Sequence, residues 1–157
     1  MVWLGDLLSV ILAVVFGTAI GLEREISGKA AGLRTNVLIC LGAAVFTVIS
    51  RQMAAGQADS LTRIAAQVVT GVGFLGAGAI IQDRGGVHGL TTAATIWLVA
   101  SIGVACGARL YELAGMSTLV ALVVLIGFEQ VEKPLKRYRK KQKPSGSAGK
   151  TDESAPL

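Results

Sequence analysis

The stretch GVGFLG at residues 71–76 matches G-x-G-x-x-G, the pattern of a loop that cradles the pyrophosphate of a dinucleotide. Such a loop follows a strand in a soluble βαβ unit, and an acidic residue about 20 positions further on binds the ribose. No acidic residue lies between Asp83 and Glu112, and the stretch sits in a long apolar block. We therefore predict that these glycines bind no nucleotide and that the protein needs no cofactor.

Other residue types that could carry chemistry are sparse. The chain has a single histidine, His88, and two cysteines, Cys40 and Cys106, that lack metal-ligand spacing. The acidic residues of the apolar part stand near predicted helix ends, so no carboxylate pair at the membrane midplane offers Mg²⁺ the hard oxygen ligands it prefers. We predict no metal site and no enzymatic activity. The cysteines fall at predicted depths further apart than the ~7 Å limit for a disulfide, and we expect both to be free.

The elements that hold these residues are long apolar blocks, typical of a membrane protein. Hydrophobic residues make up 52% of the 157 positions and charged residues only 16%, whereas soluble domains have about 25% charged residues. The blocks lie at 2–22, 35–50, 64–82, 90–108 and 113–128. They predict an all-α, polytopic membrane helix bundle of about five transmembrane helices over residues 1–130. Four helices is the alternative, because the second and fifth blocks are short for a hydrocarbon core of ~30 Å.

Residues 131–157 are predicted to be a basic, disordered tail. With five spans, twelve of the 15 Lys and Arg residues fall on the same side of the membrane as this tail. The positive-inside rule then places the tail in the cytoplasm and the amino terminus outside. The basic run at its start suits anionic lipid headgroups. RNA binding is a weaker alternative, because a basic stretch alone is not selective.

Small residues recur four positions apart on two predicted helices. The first helix carries Ala13, Gly17 and Gly21, and the fourth carries Gly103 and Gly107. In lipid, such faces let helix backbones approach closely, so we assign these residues to helix packing. The face on the first helix is also compatible with a homodimer.

The third predicted helix combines small and polar residues. Gly71, Gly73, Gly76 and Gly78 either serve close packing or interrupt the helix and expose backbone carbonyls to an ion or substrate. Residues on one face follow spacings of three and four: Arg63, Gln67, Thr70, Gly71, Phe74 and Gly78.

Arg63 needs a partner, because an unpaired charge near lipid is costly. Asp59 lies one turn earlier on the same helix, and Asp6 falls at the same predicted side of the membrane. We expect a contact between Asp6 and Arg63 to join the first and third helices.

Four stretches together resemble the MgtC/SapB family of bacterial inner-membrane proteins. They are ERE at 23–25, AAGLRT at 30–35, RIAAQVVTGVGFLGAGAII at 63–81 and GLTTAATIW at 89–97, and the resemblance covers about residues 5–128. Members of that family are linked to growth in low magnesium, to survival inside host cells and to acid stress. One member is reported to restrain the proton-driven ATP synthase. Longer members carry a soluble ACT-like domain where this chain has its tail.

The resemblance implies a set of functional residues and a function. The carried-over residues are polar or glycine: Glu23, Arg24, Glu25, Arg34, Thr35, Arg63, Gln67, Gly71, Gly73, Gly76, Gly78, Thr91 and Thr92. We expect an inner-membrane, non-catalytic regulator of magnesium limitation, stress adaptation or virulence that contacts a membrane-protein partner. The alternative is a channel or transporter that passes a small ion or solute through a polar cavity between helices.

Overall fold

A computed structural model of the protein describes residues 2–53, 58–83 and 86–142. Within these ranges the side chains at 2–3, 58–65, 83, 129 and 131–142 are not described. The elements, in chain order, are α1 (Val2–Ile26), α2 (Leu33–Met53), α3 (Ala58–Gly78), β1 (Ile81–Asp83), β2 (Gly86–His88), α4 (Leu90–Gly107) and α5 (Tyr111–Gln142). The predicted all-α membrane bundle is confirmed.

Four of the helices, α1, α2, α4 and α5, are long and apolar enough to cross a membrane. The described apolar part of α3 is shorter and covers Ala66–Gly78. The whole of α3 has 21 residues, which is about 31 Å at ~1.5 Å per residue. Its helix runs without interruption through the four glycines, so the backbone is not broken at residues 71–78.

The first two helices pack closely and antiparallel because α1 has no side chain at two contact positions. A Cβ atom at Gly17 would lie 2.9 Å from Cβ of Cys40, and one at Gly21 would lie 2.9 Å from the carbonyl oxygen of Leu33. Ala13, on the same face, is fully buried. The small face of α1 therefore packs against α2 of the same chain. It is not available for a contact between two chains, so the homodimer stays a prediction that this face no longer supports.

The contact between α2 and α4 fixes the direction of the helices. A Cβ atom at Gly103 would overlap the carbonyl oxygen of Cys40, and one at Gly107 would lie 2.5 Å from that of Ala44. Residue numbers rise together along both helices, so α2 and α4 run parallel. The segment between them must then cross back, and α3 is the helix that does so. This direction favours five crossings over four.

The parallel packing also corrects the expected depths of the cysteines. Both thiols are free and buried, but Cys40 and Cys106 belong to the same hydrophobic cluster. Gly103 faces Cys40, and Cys106 lies three residues further along α4. The two cysteines therefore differ in depth by about 4.5 Å. The expectation of a larger separation was wrong, because α4 is shifted along its axis relative to α2.

A β-hairpin, not predicted from the sequence, connects α3 to α4. Ile81 pairs with His88 and Gln82 with Val87 in antiparallel register. Gly89 follows with φ of 87°, and a Cβ atom there would overlap the carbonyl oxygen of Ala79. Glycine at this position therefore permits both the left-handed backbone and the close approach of the two helix ends.

The last helix continues beyond the predicted membrane span. α5 ends at Gln142, so residues 131–142, predicted as part of a disordered tail, are helical. Lys and Arg residues near this carboxyl-terminal end are favourable for the helix dipole. Residues 143–157 of the predicted tail lie outside the described residues.

Candidate functional site

One polar cluster joins three parts of the bundle at the end where α1 begins, which we term the Asp6 end. Asp6 is 7% exposed. Its carboxylate accepts hydrogen bonds from Arg51, from Gln52 at 2.8 Å and from Arg109 at 3.0 Å. Arg51 also donates to the carbonyl oxygen of Gly107 at 3.0 Å. The carboxylate thus ties α1 to the end of α2 and to the turn between α4 and α5.

Hydroxyl groups extend the Asp6 cluster toward α5. Ser9 and Tyr111 each donate to the carbonyl oxygen of Gly5 at 3.0 Å. Arg109 has φ of 64°, and a Cβ atom at Gly5 would lie 2.7 Å from its guanidinium. With two guanidinium groups around one carboxylate, the cluster carries an excess of positive charge.

The sequence analysis identified Asp6 as a site residue but did not predict that Arg51, Gln52 and Arg109 bind its carboxylate. The predicted Asp6–Arg63 contact and the Asp59–Arg63 pair both involve side chains outside the described ones, so both stay predictions. Arg51 and Arg109 were missed as site residues. The sequence could have indicated Arg51 and Arg109 as partners of Asp6. Together with Arg63 they are the basic residues on the predicted outer side, and each stands at the end of an apolar block.

A second polar cluster lies at the opposite end of the bundle, which we term the Glu23 end. Arg24 is 2% exposed although it carries a charge. Its guanidinium lies 3.7 Å from the carboxylate of Glu23, and that carboxylate accepts a hydrogen bond from Ser27 at 2.8 Å. Burial of an arginine in this way requires compensating charge nearby, which Glu23 supplies.

Glu25 and Asn36 organise the start of α2. The Glu25 carboxylate accepts a hydrogen bond from the backbone N–H of Leu33 at 2.9 Å, so it acts as an N-cap supplied by the end of α1. A Cβ atom at Gly32 would overlap this carboxylate. Asn36, fully buried, donates to the carbonyl oxygens of Ala31 at 2.7 Å and Gly32 at 2.8 Å. Asn36 was also missed as a site residue, although it is a polar residue within the second apolar block.

Several buried polar atoms of the Glu23 end have no hydrogen-bond partner among the described residues. They are Oε2 of Glu23, Nε and Nη2 of Arg24, and Oδ1 of Asn36. The cluster is therefore less fully satisfied than the one around Asp6. Arg34 and Thr35 lie beside it, exposed in the first turn of α2.

The four glycines of α3 do not share one environment. A Cβ atom at Gly76 would make ordinary contact with Ala93 of α4, 3.8 Å from its Cβ. A Cβ atom at Gly71, Gly73 or Gly78 would meet nothing within 4 Å. Within the described residues, three of the four glycines therefore make no close contact with another helix.

The remaining site residues lie on α3 and α4. Gln67 is exposed, and no hydrogen bond joins it to another residue whose side chain is described. Thr91 is exposed and Thr92 is buried in the first turn of α4. The structure thus divides the described candidate residues between the Asp6 end, the Glu23 end and different sides of α3, and does not gather them into one pocket. Among the described residues, no group of three His, Cys, Asp or Glu side chains is placed to hold a metal ion.

Comparison with known proteins identifies the family. A family model described as the MgtC family matches residues 10–134. The chain belongs to the MgtC family. No solved structure matches it.

Named MgtC-family relatives are similar over most of this chain. A protein of Escherichia coli (strain K12) named "Putative magnesium transporter YhiD" is 46% identical over 134 residues, 80% of this chain and 61% of that protein. "Protein MgtC" of Brucella abortus (strain 2308) is 47% identical over 112 residues, 71% of this chain and 46% of its own length. "Protein MgtC" of Salmonella typhimurium (strain 14028s / SGSC 2262) is 46% identical over 116 residues, 74% of this chain and 49% of its own length. This MgtC-family chain therefore spans less than two thirds of the length of these relatives.

Proposed function

We propose that this MgtC-family membrane protein is a non-catalytic regulator that acts by binding another protein within the bilayer through α3. The observation that carries the proposal is the open side of α3, which presents small residues to the membrane. Ala66, Thr70, Gly73 and Ala77 follow spacings of four, three and four, and all are exposed. In lipid, such a surface gains most from close contact with another helix.

The polar groups within the spans support a packing role over a conducting one. Threonine hydroxyls on four helices donate to the carbonyl oxygen four residues earlier, at 2.8–3.0 Å: Thr47, Thr70, Thr95 and Thr118. These groups are already used inside their own helices. Among the described residues, a row of free polar groups from one end of the bundle to the other is not formed.

Site-specific photo-crosslinking tests the proposal in cells. A photoreactive residue in place of Phe74, a large exposed side chain next to Gly73, should give a crosslinked product with a second membrane protein. The same residue at Val123, exposed on α5, should give little. Gly73→Leu should abolish the product, whereas Gly127→Leu, where a side chain also meets nothing within 4 Å, should not. Equal crosslinking from α3 and α5 would contradict the proposal.

Transport is the second candidate function. It is favoured by the printed name of the Escherichia coli relative, "Putative magnesium transporter YhiD". Flux of Mg²⁺ into vesicles that contain the purified chain separates the two functions. The regulator proposal expects no flux above that of empty vesicles, and flux lost in Gly73→Leu would support transport instead.

The orientation and environment follow from charge. We propose a bacterial inner-membrane protein with the Asp6 end outside and the Glu23 end in the cytoplasm, since the basic residues lie mostly on the latter side. The basic run after α5's apolar part would then contact anionic headgroups of the cytoplasmic leaflet. Cleavage or labelling of residues at each end in intact cells tests this orientation.

A further inference from the structure

A groove of about 470 Å³ lies between α2 and α3, on a different side of α3 from the small-residue surface. Its floor includes two glycines, Gly42 and Gly71, at which a Cβ atom would meet nothing within 4 Å. Its walls are apolar side chains, among them Leu38, Phe46 and Leu75. Its volume is in the range of about 300–1,000 Å³ that is common for ligand sites.

The groove has the length of one membrane leaflet. Leu38 and Leu75 line it toward the Glu23 end, and Phe46 and Gln67 line it toward the middle of the bundle. The eight residue steps from Leu38 to Phe46 rise about 12 Å along the helix. Half of a hydrocarbon core of ~30 Å is about 15 Å. The groove thus begins one helical turn after Arg34 and ends about 4.5 Å beyond Ala43, the middle residue of α2, with the amide of Gln67 among the lining residues at that end.

The entrance of the groove carries positive charge. Arg34 lies one helical turn before Leu38, and Thr35 lies one turn before Ile39, which also lines the groove. Both are exposed, and no ion pair joins Arg34 to another described residue. A guanidinium and a hydroxyl at this position can donate hydrogen bonds to phosphate oxygens.

We propose that this groove binds an anionic phospholipid, with one acyl chain between α2 and α3 and the phosphate on Arg34 and Thr35. The occupant is a lipid because an apolar groove of about 12 Å accommodates part of one acyl chain, and the pair Arg34 and Thr35 stands one helical turn beyond its Glu23 end. Basic pockets between transmembrane helices bind lipid headgroups in the same way. A helix that crossed the whole bilayer would instead need a groove of ~30 Å.

Fluorescence quenching by brominated lipids tests the site in the full chain. Phe46→Trp, with Trp3 and Trp97 replaced by Phe, places the reporter in the groove. The protein is reconstituted in vesicles that contain dibrominated phosphatidylglycerol or dibrominated phosphatidylcholine at matched mole fractions. We expect phosphatidylglycerol to be preferred about fivefold, which corresponds to ~1 kcal/mol per basic residue near an anionic lipid.

Two matched pairs of variants separate the headgroup from the acyl chain. Arg34→Gln should remove the preference for phosphatidylglycerol, whereas Lys29→Gln, which removes an exposed charge in the loop before α2, should retain it. Gly42→Leu should fill the floor and lower quenching by both lipids. Gly127→Leu, on a part of α5 where a side chain meets nothing within 4 Å, should leave quenching unchanged.

Three results would overturn the proposal. The first is equal quenching by the two lipids in the parent protein. The second is an equal loss of preference in Arg34→Gln and Lys29→Gln, which would indicate only the surface potential. The third is quenching by both lipids that rises as the protein is diluted with lipid, because a second copy would then occupy the groove. None of these depends on whether α3 binds a protein partner.

Discussion

Replacement of Gly103 by alanine should separate α2 from α4. The new Cβ atom would overlap the carbonyl oxygen of Cys40 and lie 2.9 Å from Cβ of Ala43. Carbon atoms in good contact lie about 3.5–4.0 Å apart, so the helices must move apart by roughly 1 Å. The obstructing atoms include backbone, which cannot turn aside as a flexible side chain would.

The magnitude follows from the surface that the movement disturbs. The α2–α4 contact lies in a buried cluster that contains Val99, Ile102 and both cysteines. A gap of 0.5–1 Å forfeits about a quarter to a half of the attraction between the facing atoms. Overpacking of this kind costs about 1–3 kcal/mol, while alanine in place of glycine returns at most ~1 kcal/mol through helix propensity. Because the obstructing atom is backbone, we take the upper part of that cost, about 2–3 kcal/mol, and expect a net loss of about 1–2 kcal/mol of unfolding free energy.

Unfolding by sodium dodecyl sulfate in detergent micelles measures this loss. Gly103→Ala should unfold at a lower mole fraction of dodecyl sulfate than the parent, followed by circular dichroism. Gly127→Ala is the matched control, since its Cβ atom would meet nothing within 4 Å, and it should unfold at the parent value or above it. If the two variants unfold together, the close contact between α2 and α4 does not limit stability and the reasoning fails.

Three further outcomes are expected. Asp6→Asn should cost about 2 kcal/mol of unfolding free energy, less than the ~3–5 kcal/mol of a fully buried pair, because the side chains of its two arginine partners are 21% and 41% exposed. Glu112→Gln, an equal charge change at an exposed position of α5, should cost almost nothing in the same unfolding assay. Glu25→Ala should cost ~1 kcal/mol through loss of the N-cap bond to Leu33, as judged by the same titration. Arg63→Ala should insert normally yet fail to complement a deletion strain, and Arg63→Lys should complement only partly, because lysine lacks the planar fork; full complementation by Arg63→Ala would remove this residue from the site.

The sequence alone determined the class of fold and the family. A transmembrane helix needs about 20 apolar residues, so the blocks of hydrophobicity and the charged islands between them predict a membrane helix bundle, with four or five spans left open. The four motifs then predicted the family to which the chain belongs. Both signals are local, because each depends only on residues that are close together along the chain.

Only the tertiary structure decided which small and polar residues meet. Spacing of four positions placed Gly17 and Gly103 on packing faces but did not say that both face α2, at Cys40. Close packing was also one of the two alternatives for Gly73, whose face is open among the described residues. The sequence placed several arginines at the same predicted side of the membrane as Asp6. In the structure, Asp6 forms ion pairs with Arg51 and Arg109. Periodicity sets the angle of a residue around its own helix, whereas partners depend on how each helix is rotated and shifted against the others, which the summed packing of the whole bundle decides.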